Sequence, residues 1–594
     1  MQTYQPPLRD VRFSLEELND YGAHYASLGD KGFALDEAWP LLDEAAKFAE
    51  RALVPCYASG DVEGAQLVDG RVRLPQGFAE AYTQYVDAGW PRLGHDEAVG
   101  GQPCPYSLRL AITEFYQSAN QAWAAVPALS DGAIKTLRSH ATPELAARFV
   151  PKLVSGEWTA TMCLTESQAG SDLGLLRAKA LPTDKGSYRI SGNKIFISNG
   201  DHDLAEHIVH LVLARLPDAP SGVRGISLFA VPARQLRDDG SLGERNGVSC
   251  IALEHKLGIK ANATCTMAFD EAEGWLVGAP HRGLAAMFVF INKSRLGVAQ
   301  QAQGHAEAAH QISLTYANAR LQGRAPTGAV RAELAADRLL DQPDIRRMLL
   351  TQKVVAEGGR AFVHWCAAAV DRADHGDAAT QAQAEKMLGL LTPIAKGVLS
   401  ELASEAVDLG VQILGGHGYT RDWGLEQRLR DVRVTRIYEG TTGIQALDLL
   451  ARKVLAGERE TLQQLTAEML AFADTLGVSS YAAPLQAAVR DWRVLSDAIA
   501  QRAGEDREWP AAIAVDYLMF AGYVCLAYLW ARAAQLAAQR LATALPDAER
   551  AFYTGKCEAA QFYFARILPR TATHKAVITS GEAGLSAYVA ERAA

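Results

Sequence analysis

The sequence predicts a mainly α-helical protein with a central β-domain, and three observations carry that prediction. Long Ala-, Leu- and Glu-rich stretches on both flanks place apolar residues three and four apart, the spacing of an amphipathic helix. Between about Trp158 and Phe269 the period drops to two, in short β-branched runs bounded by Gly, Asp, Asn and Pro. Beyond a polar stretch near Gly457 a further Ala-rich helical block runs to the C-terminus. With 594 residues the chain is too long for one core, and about four domains are expected. The boundaries read as a helical domain over 1–157, a β-domain over 158–275, a second helical domain over 276–457 and a C-terminal helical domain over 458–594.

Taken in order, ALDEAWPLLDEAAKFAERAL (34–53) has the spacing of a surface helix. Thr142-Pro143-Glu144-Leu145 reads as an N-cap with proline at the first helical position. SYRISGNKIFISNG, HIVHLVLARL, GISLFAVPA and CTMAFD then read as strands, numerous enough for a sandwich or barrel. Helices resume from about Leu284 to Leu455. The most apolar stretch, YLMFAGYVCLAYLWA (517–531), falls short of the ~20 residues that span a bilayer, so it reads as a buried helix. It also lacks the strongly basic face of an interfacial helix. The reading is that it packs back on the preceding helical domain.

Composition narrows the function. Hydrophobic residues make up 49% and charged residues 21%, which suits a soluble globular chain with large cores. A net charge of −9 argues against a nucleic-acid surface built on bulk charge. Eight scattered cysteines without a CxxC pair suggest reduced thiols, and prolines and charges replace the apolar run of a signal peptide at the start. Both features fit a protein of a reducing compartment such as the cytoplasm. No GxGxxG follows a strand and no GxxxxGK[ST] is present, so neither a Rossmann nor a P-loop site is expected. His207 and His210 are three apart in a strand and face opposite sides, so no metal site is expected there.

Four short stretches carry chemistry. MCLTESQAGSDLG (162–174) ends in small residues that let backbone approach a flat polar ligand, with hydroxyls at Thr165 and Ser171. NKIFISNGD (193–201) places Phe196 and Ser198 on one strand face by alternation. QILGGHGYT (412–420) carries two adjacent glycines. RIYEGTTGIQ (436–445) sets Glu439 beside Gly440, two threonines and a countercharge offered by Arg436. Each stretch alone also fits an ordinary turn, strand end or helix cap.

Together and in this order, the four resemble the acyl-CoA dehydrogenase family. MCLTESQAGSD matches its first signature, KIFISNG its flavin strand, and QILGGHGY with YEGTT its C-terminal signature; the likeness covers about residues 35 to 455. The C-terminal block and EHKLGIKANATCTMAFDEAEGWLVG resemble the longer bacterial members, which include broad-range fatty acyl-CoA and 3-methylmercaptopropionyl-CoA dehydrogenases.

The resemblance implies FAD between a helical domain, a β-domain and a helical bundle. By it, Met162, Leu164, Thr165 and Ser171 line flavin and ligand, and Phe196, Ile197 and Ser198 lie against the isoalloxazine. The family often has Trp-Ile-Thr at that strand, so Phe196 and Ser198 are conservative departures. Arg320 and Gln322 reach the FAD of a neighbouring subunit, an arginine being suited to a pyrophosphate. Gln412, Ile413, Gly415 and Gly416 support the adenine side, and Thr441 and Thr442 touch the cofactor. Asn292, standing where many relatives have Asp, and Arg295 serve the substrate together with Ser171 and Gly440. No metal is implied, and the electron acceptor is an electron-transfer flavoprotein.

That resemblance makes Glu439 the base that takes the α proton of an acyl-CoA, with flavin N5 as hydride acceptor and a trans-2-enoyl-CoA as product. A free glutamate, with a pKa of about 4.3, is too weak for an ordinary α C–H. An oxyanion-type contact to the thioester carbonyl and desolvation of the carboxylate both reduce the mismatch. Two rivals stand beside this reading. One is an acyl-CoA oxidase on the same fold. The other is a non-catalytic acyl-CoA-binding or assembly protein.

Overall fold

The computed structural model describes residues 4–29, 33–237, 239–457, 459–477, 479–506, 508–581 and 585, and for Asn292 the backbone alone. The chain groups into two compact units, one of residues 43–294 and one of residues 1–42 with 295–594.

The first unit holds helices and eleven strands among its described residues: β1 (Gln66–Val68), β2 (Arg71–Arg73), β3 (Trp158–Cys163), β4 (Lys179–Pro182), β5 (Tyr188–Ser198), β6 (His207–Arg215), β7 (Ile226–Pro232), β8 (Arg234–Leu236), β9 (Leu242–Arg245), β10 (Val248–Leu253) and β11 (Thr264–Val277). β1–β2 and β8–β9 are small two-stranded sheets. The other seven form one sheet in which β11, β5, β4, β6 and β7 join in a ring, because β7 pairs with both β6 and β11. The expectation of a sandwich or barrel thus resolves toward a barrel. Its closure is thinnest at β4–β6, joined by the single pair Lys179–Arg215.

β6 lies at the centre, parallel to β3 and antiparallel to β7, and all but its last residue are buried. Burial on both faces explains why its text is a continuous apolar run rather than an alternation. His207 and His210 are both inside. The His207 ring packs edge-on to Trp158 with centroids 4.6 Å apart, and His210 Nδ1 pairs with Thr161 Oγ1 at 2.7 Å. Burial holds both imidazoles neutral, pushing them down to about 4 and about 3. Among the described residues no cluster of His, Cys, Asp and Glu could hold a metal.

Helices complete this unit, the longest being α1 (Tyr106–His140). The short helix Pro143–Val154 starts as expected: Thr142 caps it by accepting from the Leu145 N–H, with proline at the first position.

The second unit is helical. Its frame is α2 (Gly283–Ala319, which begins in the first unit), α3 (Pro343–His375), α4 (Ala378–Leu414) and α5 (Trp509–Leu541). α5 contains the apolar run 517–531, which is buried in full. It packs on α3 and α4 at points where a glycine removes a side chain. A Cβ on Gly522 would lie 2.3 Å from Val398, one on Gly397 would meet Leu518 at 2.5 Å, and one on Gly358 would meet Trp530 at 2.6 Å. The polar tips inside have partners: Trp530 Nε1 donates to Val354 O at 3.2 Å, and Trp492 Nε1 to Tyr517 Oη at 3.0 Å. α5 is long and apolar enough to cross a membrane by composition, yet 83% of its most apolar window is buried. The expectation that it packs back on the helical domain holds.

Candidate functional site

In the first unit, the stretch after β3 and the bend in β5 are built around one buried ion pair. Lys194, fully buried, donates to Glu166 Oε1 at 2.8 Å and to Leu164 O at 3.0 Å. Glu166 also accepts from the backbone N–H groups of Arg177 and Ala178, at 2.7 and 3.0 Å. Burial pushes the Glu166 carboxyl up, but Lys194 and those N–H groups outweigh it and hold it ionised. Ile195 N donates to Thr165 O at 2.9 Å, tying MCLTESQAGSD to the flavin-strand motif. Neither Glu166 nor Lys194 stood out in the sequence. Both are charged residues on segments otherwise read as ligand-facing, and such a residue in an apolar run is the signal that would have found them.

The strict alternation expected along KIFIS does not hold. β5 pairs with β11 as Lys194–Met267 and Cys265–Ile197, so two residues, Ile195 and Phe196, face one, Thr266. This bulge puts Phe196 in the left-handed region at φ +57°, where an aromatic residue is rare. Phe196 is 59% exposed, Ile197 is buried and Ser198 is half-buried. The side chains of Met162, Leu164 and Thr165 are half-buried and Ser171 is exposed. Asp172 beside it accepts from Gly174 N at 2.9 Å.

In the second unit Glu439 lies between the turn Arg433–Arg436 and the helix Thr442–Leu447. Its φ is +54°. A non-glycine residue in this region is strained and is held there by its surroundings. Three contacts do the holding. Gln445 Nε2 donates to Glu439 O at 3.0 Å and to Gly440 O at 3.2 Å. Lys396 Nζ, from α4, donates to Gly440 O at 2.5 Å. Thr441 caps the following helix by accepting from Ile444 N. Gly440 is at φ +91°, where a side chain is strained, and a Cβ there would lie 2.7 Å from Gln445 Nε2 and displace it from the clamp.

Arg436 and Arg295 are both held in ion pairs. Arg436 makes its ion pair with Glu401, which also accepts from Thr442 Oγ1 at 2.6 Å. The cation whose charge bears on Glu439 is Lys396. Arg295 is buried and paired with Asp448 at 2.8 Å. Asn292 lies on α2, with its side chain outside the described residues.

The glycine pair at the end of α4 is open. Gly415 has φ +60°, and a Cβ on either Gly415 or Gly416 would meet nothing within 4 Å. Gln412 is exposed, whereas the Ile413 side chain points into the core and leaves only its backbone to a ligand. The loop beyond is braced by Tyr316 Oη and His417 Nδ1 at 2.8 Å, with His417 stacked on Trp423. Arg320 and Gln322 are exposed at the head of a loop anchored on Asp337. Asp337 accepts from the backbone of Ala325, Arg331 and Val330, which with Arg324 brings its carboxyl down to about 2. Within the helical unit, the exposed Arg320 guanidinium and the open glycine backbone are donors that suit a pyrophosphate.

Comparison with known proteins shows what the chain is similar to. Family models match along nearly the whole chain: the N-terminal domain of acyl-CoA dehydrogenase over 36–157, the middle domain over 161–272, the C-terminal domain over 281–455, and an acetyl-CoA dehydrogenase C-terminal-like domain over 462–588. The 3-methylmercaptopropionyl-CoA dehydrogenase of Ruegeria pomeroyi is 39% identical, over 98% of this chain and 100% of that protein. The broad-specificity linear acyl-CoA dehydrogenase FadE5 of Mycobacterium tuberculosis is 34% identical, over 97% and 98%. Among solved structures, an acyl-CoA dehydrogenase from Bacillus anthracis complexed with FAD superposes with TM-score 0.73 at 20% identity, covering 93% of this chain and 90% of that one.

Proposed function

The chain belongs to the acyl-CoA dehydrogenase family, and from that premise we propose that it uses FAD to oxidise an acyl-CoA between its α and β carbons, with Glu439 as the base. The reading rests most on the backbone of Glu439, a carboxylate held at φ +54° beside a glycine at φ +91°. A surface glutamate needs no such strain. When bound, the flavin supplies the two-electron acceptor for the β hydrogen and its electron pair. Glu439 takes the α proton, so the products are the trans-2-enoyl thioester and a protonated carboxyl. Gly440 leaves the approach beside that carboxylate clear of a side chain.

For the cofactor we assign Met162, Leu164, Thr165, Ser171, Phe196, Ile197 and Ser198 in the first unit. In the second we assign Arg320, Gln322, Gln412, Gly415, Gly416, Thr441 and the backbones of Ile413 and Thr442. Arg320 and the glycine loop are read as serving a neighbour's FAD, which makes the assembly a homodimer, with α5 covering the surface for further association. The partition into four domains, a bacterial cytoplasmic location and delivery of electrons to an electron-transfer flavoprotein belong to the same reading. The relatives' names point to two substrate classes, 3-methylmercaptopropionyl-CoA and linear acyl-CoAs.

One experiment separates the alternatives. The purified protein is mixed anaerobically with 3-methylmercaptopropionyl-CoA and with linear acyl-CoAs of graded length, and bleaching of the flavin is followed. Bleaching with one class, followed by reoxidation by electron-transfer flavoprotein, is the expected result. Stoichiometric peroxide under air without that acceptor would select an oxidase, and a colourless protein a binding role. Light scattering at a tetramer mass would defeat the blocking role of α5.

A further inference from the structure

We propose that Lys396 is a positioning residue for the Glu439 base, holding the strained loop through the Gly440 carbonyl and setting the protonation of the Glu439 carboxylate by its charge. The inference rests on the base assignment made above.

Lys396 lies on α4, far from RIYEGTT in the sequence, and is fully buried. Its Nζ donates to Gly440 O at 2.5 Å, the peptide oxygen immediately after Glu439. Gln445 Nε2 donates to the same oxygen and to that of Glu439. Two carbonyls in succession are therefore fixed by side chains, and between them the backbone keeps φ +54° at Glu439 and +91° at Gly440. Truncating Lys396 removes the only charged donor of this clamp and leaves Gln445 to hold both oxygens.

The second part of the role is electrostatic. The groups that bear on Lys396 come from three elements. Glu439 is on the loop, Arg295 is on α2 with Asp448 as its ion-pair partner, and Glu401 is on α4 itself and is bound to Arg436. Arg295 and Glu401 thus have opposite charges beside them, while Lys396 donates to a neutral carbonyl. Burial lowers the lysine most; Glu439 and Glu401 raise it, Arg295 lowers it, and the balance brings it down to about 8. Below that pH the lysine is an ammonium, the form in which its charge attracts the Glu439 carboxylate. Above it the charge is lost, and with it the stronger hydrogen bond to Gly440.

Single-turnover reduction of the flavin in the holoenzyme by acyl-CoA, followed against pH, tests this. In the wild type the rate should rise as Glu439 ionises and fall again through an ionisation near pH 8. Lys396→Met should retain FAD and bind acyl-CoA, reduce its flavin about 10- to 100-fold more slowly, move the acid limb upward by about one pH unit and lose the alkaline limb. Lys396→Arg, which stays charged at all these pH values, should restore the acid limb and still lack the alkaline one. A wild-type profile flat from pH 7 to 9 overturns the proposal without any variant, so a substitution that fails to fold does not shelter it. A Lys396→Met profile that superimposes on the wild type overturns it as well. If Glu439→Gln reduces its flavin normally, the base assignment has failed. If Glu439→Gln is dead and Lys396→Met unchanged, only the present inference has.

Discussion

The helical unit holds two groups of buried charge, and they are built on opposite principles. Around Arg360 every cation meets carboxylates. Arg360 binds Asp10 and, at 2.8 Å, Glu307; Lys556 binds Asp10 and, at 2.8 Å, Glu357; Lys353 binds Glu357. Burial pulls Lys353 down, but Glu357 more than restores it, and its pKa is raised. At the Glu439 loop, Lys396 donates to a carbonyl, and its pKa falls to about 8. Where charges are matched, the field is consumed locally and the cluster ties the N-terminal segment, α3 and the helix Asp547–Phe562 together. Where a buried cation donates to a neutral carbonyl instead, its charge still bears on the carboxylates around it, here Glu439 and Glu401.

Replacing one charge in each group tests the contrast. Glu439→Gln preserves shape and cannot accept a proton. It should keep FAD and bind acyl-CoA while flavin reduction falls by about 10³-fold. Reduction at the wild-type rate would remove the functional half of the comparison. Arg360→Met strands Glu307 in the interior and leaves Asp10 to Lys556 alone, and should cost about 3–5 kcal/mol in denaturant unfolding. The same variant should leave the rate of flavin reduction in the folded fraction unchanged, and a large loss there would mean the cluster is not merely structural.

Acidification should weaken the matched cluster as a whole. Burial pushes Asp10 and Glu357 up, but Lys556 and Arg360 outweigh it at Asp10, and Lys353 and Lys556 at Glu357, so both are held below the ordinary carboxylate range. A carboxyl depressed in the folded state adds stability that is fully present above its unfolded pKa and is lost as pH falls through the folded value. Urea unfolding should therefore show stability declining from about pH 5 downward, with a shallower decline in Arg360→Met. The smallest effect belongs to the rim. Glu549 accepts two hydrogen bonds from Arg9, but its side chain is 37% exposed, so Glu549→Gln should cost less than about 1 kcal/mol. A loss as large as that of Arg360→Met would erase the distinction between rim and centre.

Much of the architecture was legible because it is written at short range. The Thr142 cap, the change of period near Trp158 and the apolar text of α5 each depend on residues within a few positions of one another, and each appears as expected. The bulge at Phe196 was not legible, since nothing in KIFIS shows that β11 supplies one residue where β5 supplies two. The site divides in the same way. Glu439, Gly440 and Thr441 stand together in the text, and Thr441 caps the helix that follows. The ring of strands closed by β7 needs a contact between β7 and β11 that no local pattern records.

By itself the sequence determined the family, the candidate base and the order of helices and strands, because periodicity, caps and short motifs act over one or two turns of backbone. Only the tertiary structure decided which charge meets which. It gave Arg436 to Glu401 rather than to Glu439, turned Arg295 toward Asp448, and brought Lys396 from α4 onto the carbonyl of Gly440. The reason is that a long side chain on a buried helix has several carboxylates and carbonyls within reach in sequence terms. Desolvation makes a wrong or missing partner costly, so the choice is made when the helices pack.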